Sequence, residues 1–201
     1  RTPLREALGR LEQEGLVDRI ASGGYMVRSF SFADVVDAIE LRGVLEGTAA
    51  RLAAERGVGQ NRLDAIKETV AALDEVVPAD AEQIDFGSYV TLNARFHEQL
   101  ADLCGSVVIR RELERVTNLP FASPSAFLEV QETVSAFRRS LWSAQAQHRD
   151  IIEAIERRQS ARAEAIAREH ATLARRNLDY IQFEDRSLMA RVPGLSLVTT
   201  R

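Results

Sequence analysis

The sequence predicts an all-α fold: a helical bundle of six to seven helices, preceded by one further helix and a small β-hairpin. Two observations lead to this prediction. After residue 28, apolar residues recur at helical spacing, and Pro or Gly marks several of the breaks between these stretches. Before residue 28, short apolar pieces flank a Gly-Gly turn, which is the pattern of a hairpin.

The first predicted element is a helix within "RTPLREALGRLEQEGLV", where Leu4, Leu8 and Leu11 form one apolar stripe and Gly15 suits a C-terminal cap. A hairpin follows, with the pieces Leu-Val and Tyr-Met-Val on either side of "ASGG". A two-stranded hairpin of this size is not stable by itself. We therefore expect this segment to belong to a larger unit.

The bundle begins at "SFSFADVVDAIELRGVLEGTAARLAAERG". Ser31 and Asp34 resemble a capping box, and Val35 and Ile39 start a helical stripe that continues to Gly57. Further helices are predicted at residues 59–77, 80–103, 105–118, 124–141, 142–159 and 160–182.

Three segments follow from this pattern: a helix with a hairpin over residues 1–29, a helical domain over residues 30–186, and a loose tail over residues 187–201. The composition, 45% hydrophobic and 28% charged, is that of a globular domain, and no apolar run is long enough to span a membrane. A single cysteine, Cys104, favours a reducing compartment, so we expect a cytoplasmic protein. Residues 1–29 carry a net charge of +1 and the remainder −5. This asymmetry is mild, but it has the sign expected of a nucleic-acid-binding segment attached to an acidic domain.

The stretch "RTPLREALGRLEQEGLV" followed by "DRIASGGYMV" resembles the second half of the winged helix-turn-helix of the GntR family of bacterial transcription regulators. The resemblance implies that the helix is the recognition helix, that the hairpin is the wing, and that the helices preceding them are not in this chain. It also implies a homodimer on paired half-sites of double-stranded operator DNA. The residues assigned to DNA are Arg1, Thr2, Arg5, Arg19, Gly23 and Gly24.

Physical chemistry agrees with this assignment. Arg1 and Arg5 lie four residues apart on one face of the helix, and arginine matches the O6 and N7 acceptors of guanine. Gly23 and Gly24 would let the tip of the wing approach the DNA backbone. The alternative is that the arginines only solvate a surface helix.

The three histidines of the chain are His97, His148 and His170, and each lies beside the apolar stripe of a different predicted helix. A lone histidine in such a place is usually a core residue. Three of them could converge inside a helical bundle, where unpaired imidazoles are costly and a metal such as zinc would satisfy them.

Residues 30–186 resemble the FCD effector domain, the helical ligand-binding module of FadR-type GntR regulators. "ELRGVLEGTAARLAAER" is similar to its first helix, "NARFHEQLADLCGS" to its first metal motif, and "HRDIIEAIERRQSARAEAIAREH" to its second and third. The resemblance implies a divalent-metal site formed by Asn93, His97, His148 and His170. Asn93 departs from the aspartate usual in the family, and a neutral amide is a weaker ligand. Zinc is the first candidate, with nickel or another transition metal as alternatives.

The resemblance also implies an effector, a small organic acid whose carboxylate binds beside the metal. Arg42 and Asn177 are the candidate residues, since a guanidinium can pair with a carboxylate through two hydrogen bonds. The alternative for Arg42 is a salt bridge with Glu46 or Glu40. The expected function is an effector-controlled transcription regulator that is not an enzyme and has no membrane partner. Two alternatives remain open: a metal-dependent hydrolase-like enzyme, or a helical domain with a purely structural metal.

Overall fold

A computed structural model describes residues 2–80 and 83–199. The elements in chain order are α1 (Thr2–Gln13), β1 (Val17–Arg19), β2 (Tyr25–Val27), α2 (Phe32–Arg56), α3 (Gln60–Val76), α4 (Phe86–Leu103), α5 (Val107–Thr117), α6 (Leu128–Thr133), α7 (Ser135–Glu156) and α8 (Ser160–Phe183). Two short 3-10 helices follow, Arg186–Arg191 and Leu195–Leu197. Within the described ranges, no helix is long and apolar enough to cross a membrane.

The amino-terminal segment has the predicted form. β1 and β2 pair antiparallel with Val17 opposite Val27, and the turn between them uses Gly23 and Gly24 at positive φ, where a side chain would be strained. On α1, Leu4 of the apolar stripe is 66% exposed. Leu8 and Leu11 are partly buried, so among the described residues the stripe is uncovered only at its amino-terminal end.

Helix α2 is the central element of the bundle. Its amino terminus carries the predicted capping box, in which Ser31 and Asp34 satisfy each other's backbone N–H groups. Two glycines, Gly43 and Gly47, allow α2 to lie very close to α8, because a Cβ at Gly43 would stand 2.8 Å from the Cβ of Ala171. This close packing fixes the position of α2 relative to α8, and with it the positions of the buried side chains on both helices.

The buried apolar residues form two main clusters. One lies where α3, α4 and α7 pack together and includes Phe96, Leu100 and Ile151. The second lies around the linker before α2 and the loop between α5 and α6, and includes Phe30 and Phe121. Helices α2 and α8 contribute residues to both clusters. The interior of the bundle therefore lies along the sides of α2 and α8 that carry these residues.

The predicted boundaries are wrong in two places. The helix expected from residue 80 begins at Phe86, because Asp85 caps its amino terminus by accepting a hydrogen bond from the backbone N–H of Ser88. The break expected between residues 141 and 142 does not exist, and α7 is continuous over Ser135–Glu156 because it contains no Pro or Gly. The separate helix before it is only the short α6.

The loose tail predicted from residue 187 is also wrong. Val192, Leu195 and Val198 are buried in the second cluster, and the backbone of Phe30 exchanges hydrogen bonds with Leu197 and Thr199. The carboxyl-terminal segment is therefore packed at the junction between the hairpin and the bundle. Its apolar residues have no regular period, which is why the sequence pattern did not reveal this packing.

Candidate metal centre and ligand cavity

The three histidines come from three helices and meet inside the bundle. His97 lies on α4, His148 on α7 and His170 on α8, and each is at most 8% exposed. One ring nitrogen from each can be chosen so that all three lie within 4.8 Å of one another. The arrangement could hold a metal ion.

The ring of His97 is oriented by Glu46 of α2. Its Nδ1 lies 2.9 Å from Glu46 Oε1. An ionised carboxylate can only accept a hydrogen bond, so Nδ1 carries a proton, and in the neutral imidazole the lone pair is then on Nε2. Burial alone would raise the pKa of Glu46, but interactions with His97 and Arg42 outweigh it and lower the pKa to about 2. The carboxylate is therefore ionised at neutral pH.

The ring of His148 is oriented by Gln145, three residues earlier on α7. The Gln145 amide nitrogen donates to the carbonyl of Val70 at 2.9 Å and to Asp74 Oδ1 at 2.8 Å. These two bonds fix the amide so that its oxygen faces His148 Nδ1 at 3.1 Å. His148 therefore also carries its proton on Nδ1.

His170 completes the pattern, because its Nδ1 lies 3.1 Å from the amide oxygen of Gln147. The Nε2 atoms of His148 and His170 then face each other at 3.2 Å, each with a lone pair. Burial is the main cause that lowers the pKa of His148 well below its ordinary value and that of His170 to about 3, so a shared proton does not bridge them. A divalent cation accepts such lone pairs, and the site fits a metal on this ground.

A small cavity adjoins the histidines and collects the other predicted site residues. Its volume is about 40 Å³, and its wall includes Arg42, Asn93, His97, His170 and Asn177. Of the predicted metal and effector residues, His148 is the one outside this wall. The cavity is large enough for about three water molecules.

Asn93 lies one helical turn before His97 and is buried. Its amide nitrogen lies 3.5 Å from Ser125 Oγ, a long hydrogen bond that ties α4 to the loop before α6. The side chain therefore lines the cavity and also holds one of its walls.

Arg42 forms the ion pair with Glu46 that one interpretation expected, and it also lies on the cavity wall. Its Nη1 donates to the carbonyl of Ala122 at 2.8 Å, and its Nε lies 3.9 Å from Glu46 Oε1. Both charged side chains are almost fully buried. Arg42 thus lines the cavity and is also the ionic partner of Glu46.

Sequence reasoning missed three residues of the site: Glu46, Gln145 and Gln147 each orient a histidine. Glu46 was considered only as a partner of Arg42. Its position one turn after Arg42 on the buried face of α2 was a usable signal. In "SAQAQHRD" the two glutamines lie within one turn of His148, but a polar residue beside a histidine is common, and the sequence does not show that Gln147 faces another helix.

The predicted DNA-contacting residues lie in the amino-terminal helix and hairpin, which precede the helices that carry the histidines. Arg5 of α1, Arg19 of β1 and the turn glycines Gly23 and Gly24 line one groove between the helix and the hairpin. Arg1 lies outside the described residues, and the side chain of Thr2 is outside them as well.

Comparison with known proteins identifies the family. The model of the FCD domain matches residues 37–173, which is more than half of the chain. The chain belongs to the FCD family. The match covers α2 to most of α8 and contains Arg42, Asn93 and the three histidines, whereas Asn177 lies just beyond it.

Relatives of this FCD protein are transcription regulators. The HTH-type transcriptional repressor GlaR of Escherichia coli is 29% identical over 84% of this chain and 74% of its own length. The Nta operon transcriptional regulator of Aminobacter aminovorans is 35% identical over 51% of this chain and 46% of its own length. The expectation of a regulator rather than an enzyme is confirmed by these relatives.

Solved structures share the fold of this FCD protein. McbR/YncC of E. coli superposes with a TM-score of 0.67 at 16% identity, covering 91% of this chain and 81% of that one. A GntR family regulator from Pseudomonas syringae pv. tomato superposes with a TM-score of 0.52 at 23% identity, covering 94% and 71%. The family match shows an FCD domain, and these superpositions show that the chain has the fold of those regulators.

Proposed function

We propose that this FCD regulator binds a divalent metal, zinc first, through His97, His148 and His170, with Asn93 as a fourth, weaker ligand. The observation that carries the proposal is the common orientation of the three rings. Each Nδ1 faces an acceptor oxygen, which leaves each Nε2 free to bind an ion.

The metal would bind the carboxylate of a small organic acid in the adjoining cavity. Arg42 supports this proposal because its guanidinium lines the cavity and its ion pair with Glu46 is too long, at 3.9 Å, to be a hydrogen bond, so it retains donor capacity for a carboxylate. Asn177 lines the same cavity and would orient the remainder of the ligand. An effector of several carbon atoms needs more room than about 40 Å³. A second cavity of about 330 Å³, which also borders His97 and Glu46, offers additional room beside the proposed metal site.

The second candidate is a purely structural metal, and the small volume of the cavity favours it. A metal that only holds α4, α7 and α8 together needs no room for a ligand. In that case the effector either binds elsewhere or does not exist.

The amino-terminal segment would bind operator DNA. Arg5 and Arg19 line the same groove between α1 and the hairpin, which suits contacts to one stretch of duplex. A single recognition helix reads few base pairs, and for that reason we propose a homodimer on paired half-sites. A ligand that favours one arrangement of the two reading segments by about 1.4 kcal/mol would change operator affinity tenfold.

Thermal denaturation tests the metal and effector together. Zinc-loaded protein is heated with small mono-, di- and tricarboxylates and with sugar acids, beside the same protein in a chelator. We expect the chelator to lower the Tm, and one class of acid to raise it in the wild type but not in His148→Ala. A Tm that responds to the chelator but to no acid would favour the structural metal, and a Tm indifferent to the chelator would contradict both candidates.

A further inference from the structure

Glu46 is a buried charged residue of α2. It lies on the face of α2 that is turned toward the bundle interior and is only 3% exposed, and its Oε2 has no hydrogen-bond partner among the described residues. Burying a carboxylate is costly unless it is paired and hydrogen-bonded, and the partners of Glu46 are His97 and Arg42. The contact with His97 suggests what the carboxylate does.

We propose that Glu46 is a positioning residue of the metal centre, which holds His97 in the tautomer and orientation that present Nε2 to the ion. This inference rests on the proposed metal site. The hydrogen bond of 2.9 Å from Nδ1 to Oε1 would not form with the opposite tautomer, because a carboxylate cannot donate. A carboxylate acceptor also increases the donor strength of the imidazole toward a metal.

The three histidines differ in this respect. His148 and His170 are oriented by the neutral amides of Gln145 and Gln147, and only His97 has a charged acceptor among the described residues. His97 is therefore the ligand whose donor strength depends most on its partner.

Arg42 keeps Glu46 in place. Its Nε lies 3.9 Å from Glu46 Oε1, while its Nη1 is held by the carbonyl of Ala122. The Glu46 carboxylate thus lies between His97, a proposed metal ligand on α4, and Arg42, a cavity-lining cation one turn earlier on α2. Removing the carboxylate outright would leave Arg42 as an unpaired buried charge, which can prevent folding.

The test uses two substitutions of Glu46 and one matched control. Glu46→Gln keeps an acceptor oxygen of the kind that Gln145 and Gln147 offer, but removes the charge. Glu46→Ala removes both. The control is Glu55→Gln, which neutralises an exposed carboxylate of the same helix that pairs with Arg51.

Zinc affinity and the tautomer of His97 are the two measurements. Zinc affinity is obtained by competition with a chromophoric chelator, and the tautomer from the imidazole ¹⁵N spectrum of metal-free protein. We expect zinc affinity to fall about tenfold in Glu46→Gln and up to about a hundredfold in Glu46→Ala, with no change in Glu55→Gln. The Nδ1–H form of His97 should dominate in the wild type and in Glu46→Gln, and mix with the Nε2–H form in Glu46→Ala.

Zinc affinity in Glu46→Gln within twofold of the wild type would overturn the inference, as would an Nε2–H form of His97 in the wild type. Glu46→Gln decides the matter by itself if Glu46→Ala does not fold. A wild-type chain that binds no zinc would instead overturn the proposed metal site and this inference with it. Failure of the inference alone is recognised by zinc binding that ignores Glu46.

Discussion

The ring of Phe30 meets the ring of Phe121 edge-on, with the ring centroids 4.9 Å apart. Phe30 belongs to the linker between the hairpin and α2, and Phe121 to the loop between α5 and α6. The neighbouring carbonyl of Ala122 accepts the hydrogen bond from Arg42. One loop therefore contacts both the cavity and the junction at which the hairpin joins the bundle.

We expect Phe30→Ala to lower the free energy of unfolding by about 3 kcal/mol or more, because it empties a buried aromatic site and leaves a cavity. Phe183→Ala is the matched control, since the ring of Phe183 is 73% exposed, and it should change stability by less than about 0.5 kcal/mol. Urea unfolding of both variants measures the difference. Equal effects would show that the junction does not contribute to the stability of the bundle.

Gly43→Ala should destabilise the bundle by about 1–3 kcal/mol, against the usual preference for alanine in helices. The added Cβ would lie 2.8 Å from the Cβ of Ala171 and 3.3 Å from the carbonyl oxygen of Arg168, and neither atom can move without shifting α8. Gly9→Ala is the control in α1, where an added Cβ has no atom within 4 Å. It should be neutral or stabilising by up to about 1 kcal/mol. A stabilising effect of Gly43→Ala in urea unfolding would contradict the close packing of α2 on α8.

The course of the chain could be predicted where one local rule decided it. Ser31 and Asp34 fixed the start of α2, and the apolar stripes placed His97, His148 and His170 on inward faces. The end of α6 and the start of α7 were missed because no Pro or Gly marks them. The packing of Val192, Leu195 and Val198 was missed because it depends on a surface assembled from distant segments.

The site shows the same division. Each histidine could be found from its own helix, but the acceptors of His97 and His170 could not. Glu46 and His97 are 51 residues apart, and Gln147 and His170 are 23 apart, so these pairings exist only once the helices have packed. Gln145, three residues before His148 on one helix, was the partner that spacing alone could have revealed.

Asn93→Asp tests whether position 93 is a metal ligand. A carboxylate binds zinc more strongly than an amide, so we expect zinc affinity to rise about tenfold or more. In the metal-free protein the same substitution buries a charge and removes the donor to Ser125, so it should lower the Tm. The substitution should therefore increase the difference in Tm between zinc and chelator. A zinc affinity unchanged from the wild type would show that residue 93 only supports the cavity wall through Ser125.

Stability of the metal-free protein should fall as the pH is lowered below about 6.5. Burial lowers the pKa of His148 well below its ordinary value and that of His170 to about 3, so both stay neutral in the folded state while the unfolded chain takes up protons. Each histidine then removes up to about 1.4 kcal/mol of unfolding free energy per pH unit, and for His170 the loss continues toward pH 3. Urea unfolding in chelator between pH 7 and pH 5 measures the slope of unfolding free energy against pH. His148→Gln should reduce this slope by up to about 1.4 kcal/mol per pH unit, the contribution of one proton. A slope that His148→Gln leaves unchanged would mean that His148 gains its proton in the folded state. A shared proton could then bridge His148 and His170, and their facing Nε2 atoms would no longer argue for a metal.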